Sequence, residues 1–126
     1  MDEFLVEPQW LQDKFHDPAI VVIDCSWYIP EVSKSGRAEF EQGHIPGARF
    51  FDLDAASDQA SPYVNMLPSP EQFAAVAGAL GIGADTTVVV YDSSYVSARV
   101  WWMFRHFGHD RVAVLNGGWK RWRAET

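Results

Sequence analysis

Short runs of β-branched residues alternate with helical segments along this chain, and this alternation restricts the fold most strongly. Continuous β-branched sequence is typical of buried strands, and it occurs at residues 19–23, 87–91 and 112–115. The predicted helices cover residues 8–15, 69–80 and 97–107, and a fourth begins near Trp119. Strands that alternate with helices imply a parallel sheet with helices on both faces. The sequence therefore predicts an α/β domain with a central parallel sheet.

Local signals place several smaller elements. Ser69 and Gln72 predict a capping box, in which each side chain bonds the main chain of the other residue at the start of a helix. Residues 38–42 predict a helical turn, and residues 49–51 predict a short strand. Residues 54–68 show no periodicity, which predicts a long surface excursion. A long ordered loop in a compact domain is more often functional than idle.

The composition restricts the partners and the compartment. A length of 126 residues fits one domain, and a net charge of −7 argues against nucleic acid and anionic membranes as partners. The single cysteine, Cys25, excludes an internal disulfide and fits a reducing compartment. The acidic start and the short apolar runs are unlike a secretory signal or a membrane span. We therefore expect a cytoplasmic protein with no metal and no cofactor.

Several motifs carry a family resemblance. The most diagnostic is an aromatic residue followed by His-Ile-Pro-Gly-Ala, here Phe40 and residues 44–48. Further matches lie at residues 24–28, 61–68, 100–105, 107–109 and 114–119. Together these motifs resemble the first domain of the tandem thiosulfate and 3-mercaptopyruvate sulfurtransferases of the rhodanese family. The resemblance implies one rhodanese-like domain over residues 1–126, with a three-layer α/β/α fold around a parallel sheet.

The resemblance also identifies the position of the family's nucleophile. In an active rhodanese domain, the loop after the central strand begins with a cysteine, and main-chain N–H groups surround its sulfur. Asp92 occupies that position here. The equivalent of the active-site loop comprises Asp92, Ser93, Ser94, Tyr95, Val96 and Ser97. A carboxylate cannot accept sulfane sulfur, so Asp92 is interpreted as an anion in its own cradle near a helix N-terminus.

Cys25 and Asp54 each leave two interpretations open. Cys25 follows a predicted strand without a Gly-rich cradle or an adjacent base, which favours a packed small residue over a nucleophile. Asp54 matches an aspartate that, by the resemblance, helps the catalytic cysteine of the other domain together with a histidine. The histidine position falls at Asn65, which cannot transfer protons. Asp54 is therefore either a cross-domain helper or a loop-capping residue.

The histidines and two of the arginines can be interpreted either as structural residues or as functional ones. His44 is interpreted as bonding the Pro-Gly turn that follows it, with a metal ligand or general base as the alternative. His106 and His109 lie at a predicted helix end, where partial positive charge is favourable. Arg99 and Arg105 form surface ion pairs or face an anionic substrate at a domain junction.

One predicted helix is apolar around most of its circumference. Residues 100–104 read Val-Trp-Trp-Met-Phe without interruption, which is more than one buried stripe requires. Either the helix is nearly buried within its own domain, or one flank meets another domain.

The family resemblance implies that this chain is the amino-terminal half of a rhodanese-type sulfurtransferase. Its donor would be thiosulfate or 3-mercaptopyruvate, its acceptor cyanide or a thiol, and its chemistry a persulfide-forming cysteine in a second domain outside this chain. This chain alone would then be inactive, and its partner would be the carboxy-terminal rhodanese domain or a second copy of itself. The alternative is a stand-alone inactive rhodanese domain that serves as a binding or regulatory module. A reading frame that continues past Thr126 into a cysteine-containing domain would separate the two.

Overall fold

The computed structural model describes residues 4–62 and 66–126. Strands and helices alternate along these residues, with five of each. In chain order they are β1 (Leu5–Val6), α1 (Pro8–Lys14), β2 (Ile20–Asp24), α2 (Gly36–Gln42), β3 (Arg49–Phe50), α3 (Pro70–Ala79), β4 (Thr87–Tyr91), α4 (Ser97–His106), β5 (Val112–Leu115) and α5 (Gly118–Glu125). Within the described ranges, no helix is long and apolar enough to cross a lipid bilayer.

The five strands form one parallel sheet in the order β1-β5-β4-β2-β3. The central strand β4 pairs with β2 over its full length, from Ile20 opposite Thr87 to Asp24 opposite Tyr91. Both strands therefore end at the same level, and the segments that follow them begin side by side. The predicted central parallel sheet is confirmed.

Side chains from β4 alternate between two cores because successive residues of a strand point to opposite faces. Val88 and Val90 pack with Phe73 and Phe104, which come from α3 and α4. On the opposite face, Val89 and Tyr91 belong to a second cluster, which includes Leu11 from α1, Trp122 from α5 and, at its margin, Phe40 from α2. The predicted three-layer α/β/α arrangement is confirmed.

Predicted and observed elements differ at the edges. The strands at 87–91 and 112–115 have the predicted bounds, whereas β2 is shifted by one residue and α2 begins two residues early, at Gly36. The side chain of Ser35 caps that helix by accepting the N–H of Ala38 at 3.1 Å. The two-residue strand β1 was not predicted, because so short an edge strand has no readable alternation.

Two predictions about the third helix and the loop before it need correction. Ser69 caps α3 by accepting the main-chain N–H of Gln72 at 3.1 Å. The Gln72 side chain does not complete a capping box, because it donates to the carbonyls of Ala55 and Ser57 at 2.8 and 2.7 Å. These bonds pull the preceding loop inward, so that Ser57 is buried. The excursion at 54–68 is therefore only partly a surface loop, and its residues 63–65, including Asn65, lie outside the described part.

Helix α4 is mostly internal, with one exposed aromatic side chain. Val100, Met103 and Phe104 are buried, and Trp101 donates its indole N–H to the carbonyl of Val112 at 3.1 Å. The remaining aromatic of the run, Trp102, is 43% exposed. The sequence left open whether residues 100–104 are buried within their own domain or meet another domain. Burial within the domain explains the apolar character of all of these residues except Trp102.

Candidate functional site

The candidate site lies at the carboxyl end of the central strand. Its neighbours β2 and β5 lead into α2 and α5 on one face of the sheet, whereas β4 leads into α4 on the other face. Where connections diverge in this way, a crevice opens beyond the strand ends, and ligands of open α/β sheets bind there. The loop of residues 92–96, which joins β4 to α4, lies in this crevice, as its position in the sequence predicts.

Two cavities flank this loop. The larger, of about 820 Å³, is lined by the rings of Tyr95 and Trp119 and by the cationic residues Lys120 and Arg123. The smaller, of about 420 Å³, lies between Glu39 and Arg123 and also reaches Asp24. Ser93 lines both cavities. The loop therefore forms the wall between an aromatic, basic cavity and one that contains two carboxyl groups.

The carboxylate of Asp92 is held by its own loop and by the start of α4. It accepts the main-chain N–H of Val96 and the hydroxyl of Ser97, the latter at 2.7 Å. Ser94 donates its hydroxyl to the same carboxylate at 3.3 Å. Only 8% of Asp92 is exposed. Because these donors surround it at a helix N-terminus, the loop forms an anion cradle that the Asp92 side chain itself fills.

The main chain of Asp92 is fixed from the β5 side. The N–H of Trp119 donates to the Asp92 carbonyl at 3.1 Å. Gly118, at φ +62°, passes so close that a Cβ at this position would lie 2.6 Å from the same oxygen. The turn into α5 therefore requires glycine, both for its left-handed backbone and for the close approach.

Ser93 connects the loop to the segment after β2. Its N–H donates to the hydroxyl of Ser26 at 3.0 Å, and its own hydroxyl donates to Glu39 at 3.0 Å. Ser26 in turn donates to the carboxylate of Asp24 at 2.7 Å, and Tyr28 donates to Glu39 at 2.6 Å. Burial raises the pKa of Asp24, and the charge of Asp92 acts in the same direction while the bonds from Ser26 oppose it. The site thus collects acidic side chains on the side of Ser93 that faces Glu39, and Arg123 lines the same cavity.

Ser94 and Trp27 connect the loop to Asp54. The main-chain N–H of Trp27 donates to the Ser94 hydroxyl at 2.9 Å, and the indole N–H donates to the Asp54 carboxylate at 2.8 Å. Asp52 caps the turn here, because its carboxylate accepts the N–H groups of Asp54 and Ala55 at 3.0 and 3.3 Å. The side chain that caps this loop is therefore Asp52, whereas loop capping was one of the two interpretations of Asp54. Asp54 is exposed and keeps its carboxylate at the surface.

Tyr95 forms the tip of the loop. It is 99% exposed, and its φ of +69° lies in the left-handed region that bulky residues rarely adopt. Backbone strain of this kind is concentrated at ligand-binding and switching sites. A large aromatic ring is therefore held out into solvent beside the larger cavity.

Cys25 lies next to Asp92 but is sealed in the core. Its side chain has no exposed surface, and its N–H bonds the carbonyl of Tyr91 at 3.0 Å. Burial raises the pKa of the thiol well above its usual range, and the charges of Asp92 and Asp24 raise it further. A thiol that is both inaccessible and neutral is a poor nucleophile, which agrees with the packed-residue interpretation.

The histidines lie outside this site and make structural contacts. His44 bonds the carbonyl of Phe40 through Nδ1 at 2.7 Å and stacks on its ring, rather than bonding the Pro-Gly turn as predicted. His109 bonds the carbonyl of Thr86 through Nε2 at 2.8 Å, and His106 stacks on Trp102. Over residues 4–62 and 66–126, no group of three or more His, Cys, Asp or Glu side chains is arranged to hold a metal ion.

The two arginines of α4 contact aromatic rings. The guanidinium of Arg99 lies 5.9 Å from the ring centroid of Trp102, and that of Arg105 lies 5.2 Å from Trp101. Both contacts are cation–π interactions. The two alternatives for these arginines, surface ion pairs and an anionic substrate at a domain junction, stay predictions.

Comparison with protein-family models decides the family. The model of the rhodanese-like domain matches residues 7–125, almost the whole chain. The chain belongs to the rhodanese-like domain family.

Several relatives of this rhodanese domain are sulfurtransferases. The chain is 49% identical to human 3-mercaptopyruvate sulfurtransferase over 126 residues, which cover 94% of this chain and 42% of the human protein. It is 47% identical to bovine thiosulfate sulfurtransferase over 129 residues, which cover 96% of this chain and 43% of the bovine protein. The crystal structure of SseA from Escherichia coli, a 3-mercaptopyruvate sulfotransferase, superposes with a TM-score of 0.90 at 39% identity. The superposition covers 97% of this chain and 48% of the SseA chain. This rhodanese domain therefore spans less than half the length of these relatives.

The name of one relative gives a compartment. A 47% identical sulfurtransferase from Arabidopsis thaliana, of which this chain covers 33%, is described as mitochondrial. The cytoplasmic location expected from the sequence therefore stays a prediction.

Sequence reasoning missed part of the site of this rhodanese domain. It assigned no role to Ser26, Trp27, Tyr28 or Glu39, although the first three lie within a motif of the family resemblance. The sequence did contain a signal for these three residues, because they directly follow β2. Parallel neighbouring strands have their carboxyl ends at the same edge of a sheet, so the residues after β2 are expected near the loop after β4. Glu39 gave no comparable signal, since a glutamate within a polar helix is usually solvated.

Proposed function

We propose that this chain is the non-catalytic first domain of a two-domain rhodanese-type sulfurtransferase. The enzyme moves sulfane sulfur from thiosulfate or 3-mercaptopyruvate to cyanide or a thiol. The cysteine that carries the sulfur belongs to a second rhodanese domain, which lies outside residues 1–126. This chain contributes a folded partner surface and Asp54, and it has no sulfur transfer of its own.

The state of Asp92 is the observation that carries this proposal. Sulfur transfer by a cysteine requires a thiolate that attacks the outer sulfur of the donor and holds it as a persulfide. At the corresponding loop of this chain, the carboxylate of Asp92 accepts the bonds that would stabilise such a sulfur anion. A carboxylate takes up no sulfane sulfur. The loop is therefore an anion cradle without a nucleophile.

The only thiol of the chain does not replace the missing nucleophile. Cys25 has no exposed surface, and burial holds it in the neutral form. Both features support an inactive domain.

The proportions of the relatives support the proposal of a second domain. Human and bovine relatives are matched over only 42% and 43% of their lengths, which leaves room for another domain of similar size. The substrates are proposed from their names, 3-mercaptopyruvate sulfurtransferase and thiosulfate sulfurtransferase. We propose that the exposed Asp54 carboxylate contacts the cysteine loop of that domain and acts as a cross-domain helper.

A sulfur-transfer assay tests the proposal. Thiocyanate formation from thiosulfate and cyanide is measured for this chain alone, for its Cys25→Ser variant, and for the chain together with a cysteine-containing second domain. We expect transfer only in the third case. Turnover by the chain alone that survives repurification and disappears in Cys25→Ser would contradict the proposal. An inactive mixture, with a second domain shown to bind this chain, would favour the stand-alone binding module.

A further inference from the structure

Ser94 links Asp92 to the segment that follows β2. A serine hydroxyl has one proton to donate and two lone pairs to accept, and both capacities are used here. Ser94 donates to the carboxylate of Asp92 at 3.3 Å and accepts the main-chain N–H of Trp27 at 2.9 Å. Asp92 thereby sets the direction in which the Ser94 lone pairs point. The position of Trp27 depends on that direction.

Trp27 carries the link from the loop to the surface. It is half-buried and packs against the core cluster that contains Phe51 and Phe104, so its ring is confined on the inner side. Its indole N–H donates to the carboxylate of Asp54 at 2.8 Å. A hydrogen bond to an ionised acceptor is stronger and more directional than a neutral one, so the indole fixes the orientation of the Asp54 side chain.

The main chain of Asp54 is held independently of this link. Asp52 accepts the N–H of Asp54 at 3.0 Å, which fixes the turn but leaves the side-chain rotamer open. The rotamer of an exposed aspartate is otherwise free to exchange. Trp27 is therefore the contact that selects one orientation of the Asp54 carboxylate.

We propose that the loop equivalent to the active-site loop is a positioning device for Asp54, in which Asp92 orients Ser94, Ser94 holds Trp27, and Trp27 orients the Asp54 carboxylate. This inference rests on the proposed function, in which Asp54 acts on the cysteine loop of a second domain. It assigns a role to the aspartate at the nucleophile position, because the link needs an acceptor there for the Ser94 proton. Ser94, Trp27 and Asp92 are positioning residues, and none of them touches the transferred sulfur.

The link is tested on this chain alone by the indole N–H resonances of ¹⁵N-tryptophan-labelled protein. The chain has six tryptophans, and Trp27→Phe identifies the resonance of Trp27. Asp54→Ala removes the acceptor and moves this resonance upfield, toward that of an indole in water. We expect Ser94→Ala to move it in the same direction, and Ser94→Thr, which keeps the hydroxyl, to restore the wild-type position.

Ser69→Ala is the matched control. It removes the hydroxyl that caps α3 and so lowers stability, but Ser69 bonds Gln72 and has no part in the link. We expect it to leave the Trp27 resonance unchanged. A Trp27 resonance in Ser94→Ala that coincides with the wild type, or one that moves equally in Ser69→Ala, would overturn the proposal.

A second variant keeps the test decisive if Ser94→Ala does not fold. Asp92→Asn preserves the size of the side chain but weakens the acceptor of the Ser94 proton, so the Trp27 resonance is expected to move upfield here too. An unmoved resonance in a folded Asp92→Asn chain would overturn the proposal equally.

Kinetics of the two-domain protein test whether the position of Asp54 matters for transfer. Ser94→Ala should lower kcat for 3-mercaptopyruvate about tenfold while KM changes less than about twofold, since it misplaces a group without removing it. Ser69→Ala should leave both constants at their wild-type values. A shifted Trp27 resonance with unchanged kcat would overturn the catalytic half of the proposal. If no two-domain protein transfers sulfur at all, the proposed function fails, whereas the resonance result still decides whether the link exists.

Discussion

Cys25 and Asp92 each directly follow a strand, and the two strands are parallel neighbours that end at the same level. The chemical environments of the two residues are nevertheless opposite. Cys25 is packed among apolar side chains, where burial keeps its thiol neutral. Asp92 lies where a helix begins, and an N–H group and two hydroxyls point at its carboxylate. An anion site at this sheet edge is therefore created by the donors of the following loop, and a reactive residue type alone does not create one.

The strongest test of this contrast disturbs the backbone behind Asp92. Gly118→Ala places a Cβ 2.6 Å from the Asp92 carbonyl at a φ of +62°. We expect the free energy of unfolding to fall by about 3 kcal/mol, as strain from the left-handed backbone adds to a main-chain clash. Urea denaturation measures this loss.

Gly108→Ala is the matched control for that substitution. Gly108 has a φ of +91°, but a Cβ there meets nothing within 4 Å. We expect a loss of about 1 kcal/mol, from the backbone conformation alone. Equal losses in the two variants would mean that the approach of Gly118 to Asp92 does not constrain the loop.

A smaller effect is expected from removing the Asp92 carboxylate itself. Asp92→Ala leaves the Val96 N–H and the Ser97 hydroxyl without their acceptor in a largely buried site. We expect the free energy of unfolding to fall by about 2 kcal/mol, whereas Asp54→Ala, which removes an exposed carboxylate, should cost about 0.5 kcal/mol. Thermal or urea unfolding of both variants measures the difference. If Asp92→Ala were as stable as the wild type, the bonds between the cradle and the Asp92 carboxylate would contribute nothing to the free energy of unfolding.

The smallest effect concerns the pH dependence of Asp24, which is the last residue of β2 and directly precedes Cys25. Burial raises the pKa of Asp24 above its ordinary value of 3.8. The folded state therefore holds this proton more tightly than the unfolded state, so the contribution favours folding at low pH and is lost as the pH rises above about 4.

Asp24→Asn keeps an oxygen acceptor for Ser26 and removes the titration. Relative to the wild type, we expect the free energy of unfolding of the variant to increase between pH 4 and pH 7. Urea denaturation at several pH values measures this difference. A relative loss over the same interval would show that ionised Asp24 stabilises the fold, contrary to the direction of its pKa shift.

The sequence predicted the fold well where the signal is local or repeated. The β-branched runs of β4 and β5 gave the right bounds, because a strand that is buried on both faces must be apolar throughout. The strand β1 was missed because it has only two residues and depends on pairing with β5. The Gln72 side chain was misassigned because its acceptors, such as Ala55, are distant in sequence. Local capping rules do not include such partners.

The candidate site was predicted only in outline. The family resemblance located the loop, and the chemistry of a carboxylate indicated that Asp92 fills its own cradle. The links through Ser94 and Trp27 were not predicted, since they join residues 67 positions apart through pairs of atoms. Which side chains meet across a sheet edge depends on register, and register becomes visible only in the structure.

Uptake of sulfur by the loop tests the central claim most directly, namely that the loop is an anion cradle from which only the nucleophile is missing. Wild-type chain and Asp92→Cys are incubated with thiosulfate, and their intact masses are measured. In the variant, the thiolate of residue 92 should attack the outer sulfur of thiosulfate, release sulfite and keep one sulfur as a persulfide. We predict a mass increase of one sulfur atom on the variant and none on the wild type. A folded Asp92→Cys chain that stays unmodified, or a wild-type chain that gains sulfur at Cys25, would contradict the account.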